Sequence, residues 1–210
     1  MNLVDRFIHV LNYRLVPPLC VRCNTACEAP LDYCHTCVLE LPAKPRVLNT
    51  AFGEVHAAWD YHSPLDECIH GFKFHQQLHM GRILAQLALP SVAHSFPQAL
   101  IPVPLHKARL RERGFNQAQE LARYWAHGRG VPLLSNALIR QRATKVQSSL
   151  KAAERLPNVD GAFRAVGKIP RHVALVDDVY TTGATCAAAA KALGLQGAER
   201  VDVWCLARVV

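Results

Sequence analysis

Apolar and polar positions change their rhythm several times along the chain. Near the start, Asn2 and Asp5 stand where they can cap a short helix whose apolar face is Leu3, Phe7, Ile8 and Leu11. Regular patterning begins after Phe52. Residues 55–59 read as a strand, and Ser63-Pro64 followed by Asp66 and Glu67 marks a helix start, with Ile69 and Phe72 on its apolar side. A second helix is expected over 78–89, stopping at Pro90, and then a short buried strand over 99–103. Phe115, Ala118, Ala122 and Trp125 recur at helical spacing, with Gly128 as the stop. Residues 140–157 are polar, basic and aperiodic, which predicts a long mobile loop. A fully apolar strand at 173–176, a helix at 185–195 and a last strand at 201–206 complete the series. Strands alternating with helices predict an α/β body with a parallel or mostly parallel sheet. The Pro-rich stretch 41–45 is the expected linker, giving an N-terminal module over 1–45 and the body over 46–210.

Composition narrows the class. Half of the 210 residues are hydrophobic and 19% are charged, enough for a real core and against wholesale disorder. The longest apolar run, 187–195, is interrupted by Lys191 and falls short of the ~18 residues a membrane helix needs. No uninterrupted signal-peptide core opens the chain, so a soluble, cytoplasmic protein without membrane insertion is expected. The net charge of +8 is localised. Residues 105–155 hold eleven Lys and Arg against three Glu, which leaves the rest of the chain neutral. A basic block in a neutral protein implies an anionic partner, either phosphates of a small ligand or nucleic acid.

Five of the eight cysteines crowd into the front: Cys20, Cys23, Cys27, Cys34 and Cys37. Cys20-Val-Arg-Cys23 and Cys34-His-Thr-Cys37 form two Cys-x-x-Cys knuckles ten residues apart. Two such knuckles close a tetrahedral Zn²⁺ site of the ribbon type. Disulfides need an oxidising compartment, a thioredoxin-like motif would not come doubled, and haem attachment needs His where Asn24 and Val38 stand. Structural zinc on Cys20, Cys23, Cys34 and Cys37 is therefore expected, with Cys27 as a spare thiol. The metal has a physical task, because a segment this short and rich in Pro cannot fold on its own core.

The most informative stretch is 173–185, Val-Ala-Leu-Val-Asp-Asp-Val-Tyr-Thr-Thr-Gly-Ala-Thr. A buried strand ends in two acids, and a hydroxyl-rich turn then opens a helix. Ligands of open α/β sheets sit beyond the carboxyl ends of the strands, and a helix N-terminus offers N–H groups to phosphate. Thr181, Thr182 and Thr185 add hydroxyls, and Gly183 lets the backbone approach an anion. Asp177 and Asp178 are acceptors suited to sugar hydroxyls or to a Mg²⁺ carried by the same ligand. The chemistry describes a ribose with a 5′-phosphate.

Residues 173–185 resemble the phosphoribosyl-pyrophosphate (PRPP) motif of type I phosphoribosyltransferases. Residues 101–117 and 147–163 are similar to the ComF family, whose members also carry an N-terminal four-cysteine zinc module, so the resemblance spans nearly the whole chain. It implies a type I phosphoribosyltransferase-like sheet with helices on both faces. It implies a PRPP site of Asp177, Asp178, Tyr180, Thr181, Thr182, Gly183, Ala184 and Thr185, with Asp177 and Asp178 as catalytic acids on the ribose hydroxyls. Residues 102–113 become the pyrophosphate loop, with Pro104, Lys107, Arg109, Arg111 and Arg113 facing the diphosphate and Mg²⁺ accompanying PRPP. Residues 140–155 become the flexible loop, with Arg140, Arg142, Lys145 and Lys151 toward diphosphate or DNA. Lys73 matches a lysine typical of the family.

The function implied is that of a factor in natural transformation that handles incoming single-stranded DNA in the cytoplasm. Its partners would be PRPP or another phosphoribosyl ligand, single-stranded DNA and proteins of the DNA-uptake machinery. Two alternatives stand beside it: an active phosphoribosyltransferase on an unidentified acceptor, and a PRPP-sensing regulator of duplex DNA, for which no helix-turn-helix signal is found. Phe72 and Phe74 read as core rather than as a stacking platform. His70, His75 and His79 read as surface residues, and Cys68, Cys186 and Cys205 as small core residues.

Overall fold

The computed structural model describes residues 18–27, 31–74, 77–142 and 161–210. The expected N-terminal helix, His75, Lys145, Lys151 and most of the expected loop over 140–157 lie outside these residues. The chain divides into two compact units, Met1–Pro42 and Ala43–Val210.

In the first unit the chain doubles back at the first knuckle. The Cys20 N–H donates to the Thr25 carbonyl at 2.8 Å and the Asn24 N–H to the Cys20 carbonyl at 2.8 Å. Asn24 takes a left-handed conformation, φ 58°, which Asn tolerates better than other side chains do. The second knuckle opens a short helix, α1 (His35–Leu39), which buries Cys37. The Arg22 guanidinium pairs with Glu40, just past the end of that helix.

The second unit is a five-stranded sheet in the order β1-β2-β7-β6-β3. Its strands are β1 (Ala43–Asn49), β2 (Glu54–Asp60), β3 (Ala99–Pro102), β6 (His172–Tyr180) and β7 (Arg200–Arg208). β1 runs antiparallel to β2, and the other pairs are parallel. The stretch expected as a linker is therefore partly a strand from Ala43 onward. Pro45 is accommodated because β1 lies at the sheet edge, where a missing N–H costs no ladder bond, and the register slips between Ala43 and Arg46. The β1–β2 turn needs Gly53, since a Cβ there would lie 2.3 Å from the Val201 carbonyl oxygen.

Alternation along the strands sends side chains to two covered faces. On one face lie α3 (Leu78–Val92) and α5 (Gln117–Arg129), where Trp125 of α5 meets Trp204 of β7 edge-on and donates Nε1–H to the Ala85 carbonyl of α3 at 2.8 Å. On the other face, Cys186, Ala189, Ala190 and Leu193 of α6 (Ala184–Gly194) pack on Val173, Leu175, Val201 and Val203. The sheet is mostly parallel, with helices on both faces.

Several local features differ from expectation, among them the end of α5, which runs past the expected stop at Gly128 to Arg129 and is capped by Gly130 at φ 64°. α3 continues through Pro90 to Val92, because a proline this near the end forfeits one helical hydrogen bond and no more, and the Ala93 N–H still reaches the Leu89 carbonyl at 3.1 Å. Residues Lys107–Arg113 form a helix, α4, that buries none of its residues, so no apolar period announced it. The expected loop does not begin at residue 140. Leu138–Arg140 (β4) pairs antiparallel with Phe163–Ala165 (β5), and Arg140 stands opposite Phe163.

Candidate functional site

At the carboxyl ends of the parallel strands the body opens into a cleft of about 710 Å³. Its floor is the end of β6 and the turn that follows: Asp177, Asp178, Val179, Tyr180, Thr181, Gly183, Ala184 and Thr185. The four apolar residues 173–176 are fully buried, which anchors the strand and holds the two acids at the rim. Gly183 precedes α6 with φ 76°, a left-handed turn suited to glycine, and the start of α6 has no side-chain cap. A helix N-terminus presents N–H groups to an anion held in the turn before it. Thr182 is exposed and does not line the cleft.

The walls bring cations. Lys73, near the end of α2 (Leu65–Phe74), places Nζ 3.0 Å from Asp178 Oδ2. Helical spacing sorts the basic residues of α4 into two stripes. Arg109 and Arg113, four apart, line the cleft, whereas Lys107 and Arg111 are exposed outside it. Pro104 precedes this helix, between the lining residues Val103 and Leu105. Arg140 lines the cleft from β4 with its guanidinium 5.4 Å from the centre of the Phe163 ring, while Arg142 is exposed. Burial lowers the proton affinity of Arg113 and Arg140, nearby Arg109 adds to the effect, and Asp178 and Asp177 respectively oppose it. Such desolvated guanidiniums gain most from a bound anion.

The acids are unequal. Burial, reinforced by the neighbouring Asp178, pushes the Asp177 carboxyl up to about 7 against the opposing Asp178 N–H, Lys73 and Arg140. A dication, or sugar hydroxyls donating to it, would complete its ionised form, so the residues present fit Mg²⁺ delivered with a sugar phosphate.

Several lining residues escaped the sequence. Phe74 was expected in the core, but it is 54% exposed, lines the cleft and lies 4.8 Å from the Arg113 guanidinium. Two residues on a helix turn about 200°, so Phe72 and Phe74 cannot share one buried face, and that spacing was the missed signal. His70 packs on Phe74 with ring centres 4.7 Å apart. Asn116 caps α5 by accepting the Ala118 N–H at 3.2 Å and donates to the Val103 carbonyl at 3.0 Å. Gln117, buried, accepts from Arg113 at 3.1 Å and donates to the Lys73 carbonyl at 3.4 Å, tying two cleft cations together.

The first unit holds its own constellation. Sulfur atoms of Cys20, Cys23, Cys34 and Cys37 all lie within 4.8 Å of one another. Four thiolates this close repel without a cation. Burial, followed by the neighbouring thiols of Cys23, Cys34 and Cys20, pushes the Cys37 thiol up, whereas backbone N–H groups of Cys34, Cys23 and Arg22 outweigh burial and bring Cys20 down to about 6. The set fits a tetrahedral Zn²⁺. Cys27 is not one of these four, and its thiol donates to the Thr25 carbonyl at 3.6 Å.

Competence protein F of Haemophilus influenzae is 35% identical over 202 residues, covering 91% of this chain and 85% of that protein. DNA utilization protein YhgH of Escherichia coli K12 is 35% identical over 204 residues with the same coverage. The chain belongs to the ComF family. A more distant ComF protein, competence protein ComFC of Streptococcus pneumoniae, is 28% identical over 153 residues, 72% of this chain and 67% of that one. No family model matches the chain. Among solved structures, a glutamine PRPP amidotransferase from B. subtilis covers 63% of this chain and 26% of that chain at TM-score 0.39 and 22% identity, too slight a likeness to argue from. The ComF relatives are named for competence and DNA utilization, and no described helix here is long and apolar enough to cross a membrane.

Proposed function

We propose that the cleft binds PRPP or another phosphoribosyl ligand with Mg²⁺, in a cytoplasmic factor of natural transformation that handles incoming single-stranded DNA. One observation carries the ligand reading. The paired acids of β6, the uncapped start of α6 and the cations Lys73, Arg109, Arg113 and Arg140 surround a single cleft. In this reading Asp177 and Asp178 accept the ribose hydroxyls. The Thr181–Thr185 turn takes the 5′-phosphate on backbone N–H groups and hydroxyls. Arg109, Arg113 and Arg140 face the diphosphate, and Gln117 holds Arg113 and the Lys73 backbone in place. Mg²⁺ would neutralise charge on the diphosphate.

The family names, together with the concentration of all net charge in residues 105–155, support single-stranded DNA as the second partner. Proteins of the DNA-uptake machinery belong to the same reading. A transferase reading draws on Phe74, whose partly exposed ring in the cleft wall, beside Arg113 and His70, offers apolar contact to an aromatic acceptor. Release of diphosphate from PRPP by the purified protein would favour it. Zinc on the four cysteines is proposed as structural, and elemental analysis should find about one equivalent there.

The test is complementation in a naturally transformable host lacking its own copy. Asp177→Ala with Asp178→Ala should leave transformation at the level of the deletion while protein abundance is unchanged. Full complementation by that variant would contradict the proposal.

A further inference from the structure

The other end of the sheet carries a second cluster. Glu54 and His56 occupy alternate positions of β2, and the parallel register sets Val55 beside Val203 and His56 beside Trp204 of β7. Residues two apart on paired strands share a face, so Glu54, His56 and Asp202 converge. A carboxylate oxygen from each acid and a ring nitrogen of His56 lie within 4.8 Å of one another. Behind them, His172 at the start of β6 donates Nε2–H to Asp202 Oδ2 at 2.8 Å, since the carboxylate can only accept.

His56 is the telling group. It is 2% exposed, and neither ring nitrogen has a hydrogen-bond partner. Glu54 Oε2 stands 3.3 Å from Nε2 without hydrogen-bond geometry. An imidazole buried this way loses its hydration and keeps only the attraction of the nearby acids in exchange. Burial also pulls its pKa down, aided by nearby His94 and against the pull of Asp202 and Glu54.

We propose that Glu54, His56 and Asp202 form a second metal site, taking a first-row divalent cation of the Zn²⁺ class. One neutral nitrogen and two carboxylate oxygens are a zinc-type donor set. Bond lengths of about 2.0–2.2 Å require the donors to draw together by about 1 Å. His172 is then the outer partner that fixes the Asp202 carboxylate. Arg200 pairs with the same two acids: Nε lies 2.9 Å from Asp202 Oδ1, and the terminal nitrogen lies 2.9 Å from Glu54 Oε2. Its side chain is 46% exposed, so it can swing into water when the ion enters. Ion and guanidinium therefore compete for one position, and the ion joins β2 to β7 far from the cleft.

The experiment titrates metal-stripped, full-length protein with Zn²⁺ and measures retained zinc, with Co²⁺ spectra separating a thiolate site from a nitrogen–oxygen site. Wild type should take one equivalent beyond that of the cysteines. Arg200→Gln should bind this equivalent about tenfold more tightly, whereas Glu54→Gln and His56→Gln should lose it and keep the thiolate signal. Glu54 is half-exposed, so its variant decides the matter even where His56→Gln fails to fold. Absence of a nitrogen–oxygen signal in both wild type and Arg200→Gln overturns the proposal, as does a signal that survives Glu54→Gln.

Discussion

The two ends of the sheet are built from the same chemistry and balanced in opposite ways. At the cleft end, two acids sit side by side on one strand, and burial pushes Asp177 up to about 7. At the other end Asp202 is fully buried, yet its carboxyl is held below the usual range. Burial alone would raise it. Arg200, the Glu54 N–H, His172 and Ser95 donate to it and win. The protein completes the hydrogen bonding of one carboxylate and leaves the other short of donors. At the cleft end, hydroxyl donors supplied by a sugar add free energy to Asp177, whereas a cation at the other end has to displace Arg200 from Asp202.

The largest expected effect comes from making the same substitution at both ends. Asp202→Ala strands its donors, among them the Glu54 N–H at 2.9 Å, Arg200 Nε at 2.9 Å and His172 Nε2 at 2.8 Å. It should cost about 3 kcal/mol in urea unfolding followed by tryptophan fluorescence. Asp177→Ala removes a poorly solvated acid beside a like charge, and should cost less than about 1 kcal/mol or stabilise at pH 8. Equal losses at both ends would break the comparison.

Acidity should sharpen it. Asp177 has a raised folded pKa, so its contribution to stability is full below about 4 and is lost as pH rises to about 7. Asp202, with a lowered pKa, contributes above the ordinary carboxylate range and loses that contribution as pH falls through its folded value. Unfolding of Asp177→Asn between pH 4 and 8 should lack the decline that wild type shows. A decline unchanged in that variant would assign the titration to another group.

The smallest effect concerns DNA. If each cation meets one phosphate, Arg109→Ala should flatten the salt dependence of single-strand binding by about 0.7 in log–log slope. Arg200→Ala, at the far end, should leave the slope alone. Substituting Arg142 and Lys145 together should remove about 1.4. An unchanged slope in Arg109→Ala would take the DNA path away from the cleft.

The cleft floor was legible in the sequence because its parts are contiguous: an apolar run, two acids, a hydroxyl-rich turn and a helix. The walls were less so. α4 buries nothing and carries no hydrophobic period, and β4 and β5 are three residues each, too short for alternation to register. Arg140 therefore read as loop although it belongs to a strand. The Glu54–His56–Asp202 cluster was invisible for another reason: Asp202 lies about 150 residues from Glu54 and His56 and meets them through strand register alone.

The most direct measurement is calorimetric titration of the full-length protein with PRPP in the presence of Mg²⁺. Saturable binding is expected in wild type. Affinity should fall at least about 100-fold in Asp177→Asn with Asp178→Asn, while circular dichroism stays unchanged. No binding by the wild-type protein, or equal affinity in the double variant, would contradict the assignment of the cleft to a phosphoribosyl ligand.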